Sequence, residues 1–428
     1  MTRRGHFPFF LIILLAAQPL FAQSQDDRLQ QLEKKLDELV RQTTELRQEI
    51  DKLKGTAPAQ PAEAEDLTKV TEITPSAAPP AAAPEQAAAA PALTDVQTIN
   101  NQVNPGASKV FNPDTSVIGN FIGRAGQANP YEFGPDNQRP PMTLDEAEIA
   151  FEAFVDPYMK AKFFFSVTPE GIDVEEGYAN VLTLPYDLTA KIGKMKATFG
   201  KDNTWHTHVR PWVDQPLVIH NFFGDEGLND RGVSLSKSFT NNFAFVEATA
   251  EAFSGDVPDV FVRRDNNDLF YNGHLKMFKD LSENSNIELG TSYARGNASG
   301  DAAVRNQFGG VDVTYRWKPL QQGLYRGFIG RFEGIVDDRS DTDRRLKGFY
   351  ASGDYQLGQR LFTGLRLDRA DRGNATDKGI SATLTFWPSE FSQFRGQLRR
   401  TSYGGAKTVT ELLMGMQFSI GAHGAHSF

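Results

Sequence analysis

Two histidines two residues apart, His206 and His208, sit in the run Trp205-His206-Thr207-His208-Val209-Arg210-Pro211-Trp212. Side chains at i and i+2 of an extended segment share one face, so both imidazoles could ligate one metal ion, with Asp214 or His220 completing the shell. The same run also fits a packing role, in which Trp205, His206, His208, Arg210 and Asp214 anchor a long loop by contacts and hydrogen bonds. A second set is basic: Lys160, Lys162, Arg366, Arg395 and Arg399. Gln393, Arg395, Gln397 and Arg399 alternate with Phe394, Gly396 and Leu398, which builds a polar ladder on one face of a strand. Fixed cations lining a passage attract phosphate and other anions. Acidic residues share that parity, among them Glu146, Glu148, Glu152, Glu175, Glu247, Glu251 and Glu288. A transverse field across a general pore, or ion pairs that hold a wall together, is the competing reading.

Other chemistries find little support. A Ser-His-Asp hydrolase needs three side chains brought together on adjoining strands. His274 has a mid-strand position, beside the same-face Asn272 and Lys276, but no Gly-x-Ser-x-Gly motif occurs. An enzyme is not expected, nor a required cofactor. With 0 Cys, disulfides and thiolate metal sites are excluded. The net charge of −9 argues against a nucleic-acid partner.

The elements that must carry these residues are strands. About sixteen segments from Ser116 onward alternate apolar and polar residues. Val311, Val313, Tyr315 and Trp317 oppose Asp312, Thr314 and Arg316; Ile380, Ala382, Leu384 and Phe386 oppose Ser381, Thr383 and Thr385. Met159, Ala161, Phe163, Phe165 and Val167 oppose Lys160, Lys162 and Ser166, with Phe164 breaking the pattern. These strands run longer than the usual five or six residues and carry aromatics at their ends, which favours a membrane barrel over a soluble sandwich. Mean hydropathy of −0.43 leaves no room for a helical bundle. The expected fold is an all-β transmembrane antiparallel barrel of about 16 strands, preceded by a short α-helical coiled coil. Connections alternate short and long. Short ones fall at Asp156-Pro157, Leu184-Pro185, Thr240-Asn241, 280–284, 318–322, Gly358-Gln359 and 388–390; long ones fall at 125–142, 199–229, 254–266, 297–306, 337–343, 371–376 and 403–407. Pro169-Glu170 is the exception, short on the long-loop side. An even strand number puts both barrel ends on the short-turn, periplasmic side.

Ahead of the barrel (111–428) the chain divides three ways. Residues 1–22 have a signal peptide's form, with Arg3 and Arg4 before the apolar stretch Phe9 to Ala17. Residues 23–55 hold a coiled coil. Leu29, Leu32, Leu36, Leu39, Thr43, Leu46, Ile50 and Leu53 follow a 3-4 spacing, which implies self-association. Residues 56–110 are an Ala/Pro-rich linker able to reach on the order of 150 Å.

Phe111-Asn112-Pro113-Asp114-Thr115-Ser116-Val117-Ile118-Gly119, Val155-Asp156-Pro157-Tyr158 and Lys191-Ile192-Gly193-Lys194-Met195-Lys196-Ala197-Thr198-Phe199-Gly200 resemble the phosphate-selective porin family, porins O and P. The resemblance covers about residues 111–428 and implies a sixteen-stranded, trimeric outer-membrane barrel whose third long loop, 199–229, folds inward as a constriction. Phosphate specificity does not carry over, because no lysine-rich constriction pattern stands in 199–229. Phe386-Trp387-Pro388-Ser389-Glu390-Phe391-Ser392 and the terminal Gly421 to Phe428 are similar to a subgroup partly labelled zinc-regulated outer-membrane receptor, without a recognisable plug domain here. Terminal Phe428 matches the signal read by the barrel-assembly machinery in such families. The expectation is a bacterial outer-membrane porin with a periplasmic N-terminal segment, passing small hydrophilic solutes by general or weakly selective diffusion, anions such as phosphate among them. The expected partners are membrane lipid, two further copies in a homotrimer, and the cell wall through the coiled coil. A zinc-linked uptake protein and a tether acting through the coiled coil are the alternatives.

Overall fold

The computed structural model describes Arg41 and residues 113–131, 140–298, 304–340 and 344–421. Contacts divide the chain into Met1–Ala89 and Ala90–Phe428, and apart from Arg41 the described residues all belong to the second unit. The expected signal peptide, heptad seam and linker, and Phe428, therefore lie outside them.

Sixteen antiparallel strands close on themselves, each paired to its sequence neighbours, with β1 (Asp114–Gly126) sealed against β16 (Thr408–Gly421). In chain order the others are β2 (Met142–Asp156), β3 (Met159–Thr168), β4 (Gly171–Leu184), β5 (Leu188–Lys196), β6 (Asn229–Thr240), β7 (Phe245–Phe253) and β8 (Phe270–Ser282). They continue as β9 (Ser285–Asn297), β10 (Arg305–Trp317), β11 (Phe328–Arg339), β12 (Leu346–Gly358), β13 (Leu361–Arg372), β14 (Ala375–Ser389) and β15 (Ser392–Ser402). Closure satisfies every strand edge, which a bilayer demands because it offers backbone groups no water. The faces follow the alternation. On β14, Ile380, Leu384 and Phe386 are 46–52% exposed on the outside, while Ser381, Thr383 and Thr385 are at most 7% exposed within.

Two connections depart most from the expected lengths. The link after β10 extends to Gly327 instead of ending at Gln322, because Pro319 and Gln322 carbonyls accept hydrogen bonds from Gln322, Tyr325 and Arg326 amides and wind the segment into turns. Conversely, 371–376 shrinks to the pair Gly373-Asn374, because Gly373 takes φ 55° and the ladder continues to Arg372↔Ala375. The expected exception at Pro169-Glu170 is a two-residue turn.

Two irregularities re-aim side chains. Between Phe164↔Glu176 and Phe165↔Val174 the register shifts, leaving Glu175 as an extra residue of β4. A bulged residue breaks the strict inside-outside alternation, and here Glu175 and Glu176 are both 7% exposed. A similar shift on β2, between Glu146 and Leu144, leaves Asp145 extra, where it accepts a hydrogen bond from Asn120.

The lumen is not uniformly polar. Phe199 packs edge-on to Phe223 at 5.3 Å, Phe223 to Phe308 at 5.0 Å, and Phe308 to Phe261 at 5.9 Å; Phe261 stacks on Phe270, and Phe270 on Phe253. All six are buried. Rings on this scale each bury 150–250 Å², so this column fixes the loops 197–228 and 254–269 against the inner wall of β7–β10. Gly200 is a second fixing point. Its φ of 59° is a left-handed conformation, and a Cβ there would run into the Glu333 carboxylate. Gly200→Ala is expected to cost about 1–3 kcal/mol through strain and to lower the temperature at which the folded barrel loses its fast gel mobility. An unchanged midpoint would show that the turn relaxes freely.

Candidate functional site

The segment 197–228 crosses the interior. It contains two single turns, Asp202–Thr204 and Thr207–Val209, and one helix, α1 (Leu217–Phe223), which packs against β12 and β13. The expected inward fold of this loop is what the structure has, and its charged anchors fall at three places on the wall.

The first anchor is on β11. The Glu333 carboxylate, fully buried, accepts the Asp202 amide at 3.1 Å and the Tyr350 hydroxyl at 3.2 Å. Nearby, Ser292 Oγ accepts the Gly200 amide at 2.8 Å and lies 2.8 Å from His274 Nδ1. His274 thus does meet a serine, but the loop seals that pair and uses it as a fastening point. Lys201 is ion-paired with Glu288, and Arg210 with Asp202 at 3.2 Å.

The second anchor is Asp214. Its carboxylate accepts Arg366 Nη2 at 2.8 Å, Arg399 Nη1 at 2.6 Å and the Gln397 side-chain amide. Arg366 also reaches Asp368 at 2.7 Å, and Arg399 reaches Glu411. Gln397 accepts the Val213 amide, so the strand-β15 ladder read from the sequence grips the loop instead of facing an open lumen. Burial opposes ionisation of Asp214, but the Arg366 and Arg399 guanidiniums outweigh it and hold the carboxyl well below its usual range.

The third anchor is the histidine pair. His206 Nδ1 is 3.0 Å from Glu175 Oε2 and 2.9 Å from Glu148 Oε2; its Nε2 is 3.0 Å from Glu176 Oε2. His208 Nδ1 is 3.1 Å from Glu148 Oε2. Phe164, the residue that broke the β3 pattern, lies under the His206 ring with centroids 4.6 Å apart. Burial alone would disfavour the His206 imidazolium; the Glu148 carboxylate and the hydrogen bond to Glu175 reverse this and raise it well above the ordinary histidine value.

The two expected shell-completing residues are elsewhere. Asp214 is committed to the arginines, and His220 pairs with Asp225 at 2.9 Å. The segment is also not a plain extended strand: Thr207–Val209 forms a single turn, yet both imidazoles reach Glu148 because their rings remain 5.8 Å apart. Glu148 is a lumen residue as expected. Glu176 went unnoticed because strict alternation sends it outward, and only the bulge turns it in. Lys160 and Lys162 point inward but are spent on Glu152, the latter at 3.3 Å.

Between the loop and the wall of β1, β15 and β16 a narrow cleft of about 10 Å³, room for about one water, is lined by Asn120, Thr207, Trp212, Val213, Gln393, Arg395, Gly415 and Gln417. Arg395 is its one charged lining residue. It donates to the Arg210 and Trp212 carbonyls at 2.7 and 3.1 Å, and it forms no ion pair among the described residues.

No family model matches the chain. The architecture is shared with solved outer-membrane barrels. OprB of Pseudomonas putida is 11% identical, with 72% of this chain and 94% of that one covered and a TM-score of 0.51. OmpT of Vibrio cholerae, an outer-membrane protein solved in a trimer form, is 10% identical, with 72% and 99% covered and a TM-score of 0.50. In sequence, an uncharacterised protein of Aquifex aeolicus (strain VF5) is 30% identical over 392 aligned positions, which take in 76% of this chain and 82% of the relative. The chain belongs to the family of that Aquifex aeolicus protein.

Proposed function

We propose that the protein is a bacterial outer-membrane porin through which small hydrophilic solutes diffuse passively, with a preference for anions. The observation that carries this reading is the closed sixteen-strand barrel with apolar residues outside and polar ones within, as on β14. In the cleft beside the inward loop Asn120, Thr207, Gln393 and Gln417 offer amide and hydroxyl groups, and the one charge among the lining residues is the guanidinium of Arg395, without an ion-pair partner among the described residues. Amides and hydroxyls replace part of a solute's hydration shell, and a fixed cation lowers the entry barrier for anions. The other cations expected to line the passage, Lys160, Lys162, Arg366 and Arg399, are neutralised by carboxylates, so they contribute structure more than selectivity. This supports general transport with mild anion preference over a dedicated phosphate channel of the porin O and P type. A homotrimer in the outer membrane, with the N-terminal segment in the periplasm, completes the proposal; the trimer form of the Vibrio cholerae barrel of like architecture supports the first part. No catalysis enters this reading.

Purified protein in a planar bilayer should give discrete channels, and a salt gradient should give a reversal potential of anion sign. A folded protein that produces no channels would sink the reading. A cation-signed potential would remove the anion preference while leaving the pore.

A further inference from the structure

Four carboxylates of β2 and β4 gather against the inward loop. Glu146, Glu148, Glu175 and Glu176 are all at most 8% exposed, and Lys196, 2.7 Å from Glu175, is the lysine among them. The ligand atoms of Glu148, Glu175 and His206 lie within 4.8 Å of one another. His208 Nδ1 is 3.1 Å from the Glu148 oxygen but stands outside that mutually close set. That Glu148 Oε2 atom is buried and touches both imidazoles, yet neither contact has the direction of a hydrogen bond. Donor atoms converge there at 2.9–3.1 Å, a spacing like that around a shared cation, with the His206–Glu175 contact also a hydrogen bond. Ligands of one tetrahedral zinc at 2.0–2.1 Å stand about 3.3 Å apart.

We propose that His206 Nδ1, Glu148 Oε2 and Glu175 Oε2 form a site for a first-row divalent metal ion of the zinc class, which His208 Nδ1 joins as fourth donor by a small shift of its ring. Two nitrogens and two carboxylate oxygens are a donor set suited to such ions. Glu176 Oε2, 3.0 Å from His206 Nε2, is the outer carboxylate that orients the ligating ring. Phe164 packs against the His206 ring, with centroids 4.6 Å apart. The ion would clamp the Trp205–Arg210 stretch to β2 and β4, on the side of the loop that the arginine anchor does not reach. It is a structural clamp and not a cargo site, and it is independent of whether the barrel conducts.

The test uses the full chain in detergent, stripped with a chelator and equilibrated with zinc chloride, with bound zinc counted by elemental analysis. One zinc per chain is expected. Glu148→Gln and His208→Asn should each weaken binding by at least about tenfold, and Glu176→Gln by about 10–100-fold. The variants His220→Asn and His423→Asn/His426→Asn should bind as the parent does. Retained heat-dependent gel mobility identifies variants whose barrel is closed. Absence of bound zinc in the folded parent overturns the proposal, as does binding that Glu148→Gln leaves unchanged or that the His423/His426 double variant abolishes.

Discussion

Asp214→Ala is expected to free the middle of the inward loop and raise single-channel current, with larger current noise. Asp214 is the one residue through which the loop holds Arg366, Arg399 and Gln397 together. Arg366 is 1% exposed. Removing one partner from a buried ion pair costs about 3–5 kcal/mol, because the surviving charge stays desolvated. Each arginine keeps a second carboxylate, Asp368 or Glu411, so the lower end, about 3 kcal/mol, is expected. The loss falls on loop docking more than on the barrel, whose ladder is untouched. Asp214→Asn keeps the shape and should fall between parent and Ala. Acid should act on the same lock. A carboxyl held below its usual range contributes fully above the unfolded value, ~4, and loses that contribution as pH falls through the depressed one. The loop should therefore stay docked through mildly acid solution and open only below the ordinary aspartate range, and Asp214→Ala should lack this transition. Currents identical to the parent's in both tests would mean that the phenylalanine column and the Glu333 anchor suffice.

Arg395→Gln is expected to abolish anion preference, read as the reversal potential in a salt gradient. A unit charge about 6 Å from a passing ion contributes between ~0.7 kcal/mol in water and ~3 kcal/mol at an effective dielectric of 20. Because the charge attracts the anion and repels the cation alike, the anion-to-cation permeability ratio should drop about tenfold or more, and further at low salt where screening is weak. Arg395 also donates to the Arg210 and Trp212 carbonyls, so its loss could act by shifting the loop. Arg395→Lys separates the two roles: it keeps the charge and loses the fork. Selectivity that follows the charge, kept in Lys and lost in Gln, supports the assignment. Equal loss in both would make Arg395 a loop anchor only.

Particular residues show how far one sequence carries the argument. Ile380 to Phe386 announced both faces of β14, because a strand's side chains alternate and a bilayer rewards one composition on each face. Phe253, Phe270 and Phe308 had lumen parity and were legible in principle; they were overlooked because a porin interior is expected to be wet. The turn at Gly373 and the long link after β10 were misjudged because backbone hydrogen bonds between segments, not residue type, decide where a ladder stops.

The sequence by itself determined the sixteen strands, which face of each meets lipid, and that 199–229 was the connection to watch. Those are local properties, set by period and composition. Only the tertiary structure decided what the loop residues do. Asp214 meets Arg366 across 152 positions, and His206 meets Glu148 across 58, because barrel closure brings β2, β4, β13 and β15 around one lumen. The pairing of charges, and hence which cation is left for solute, depends on register and on one bulged residue at Glu175, which no periodicity announces.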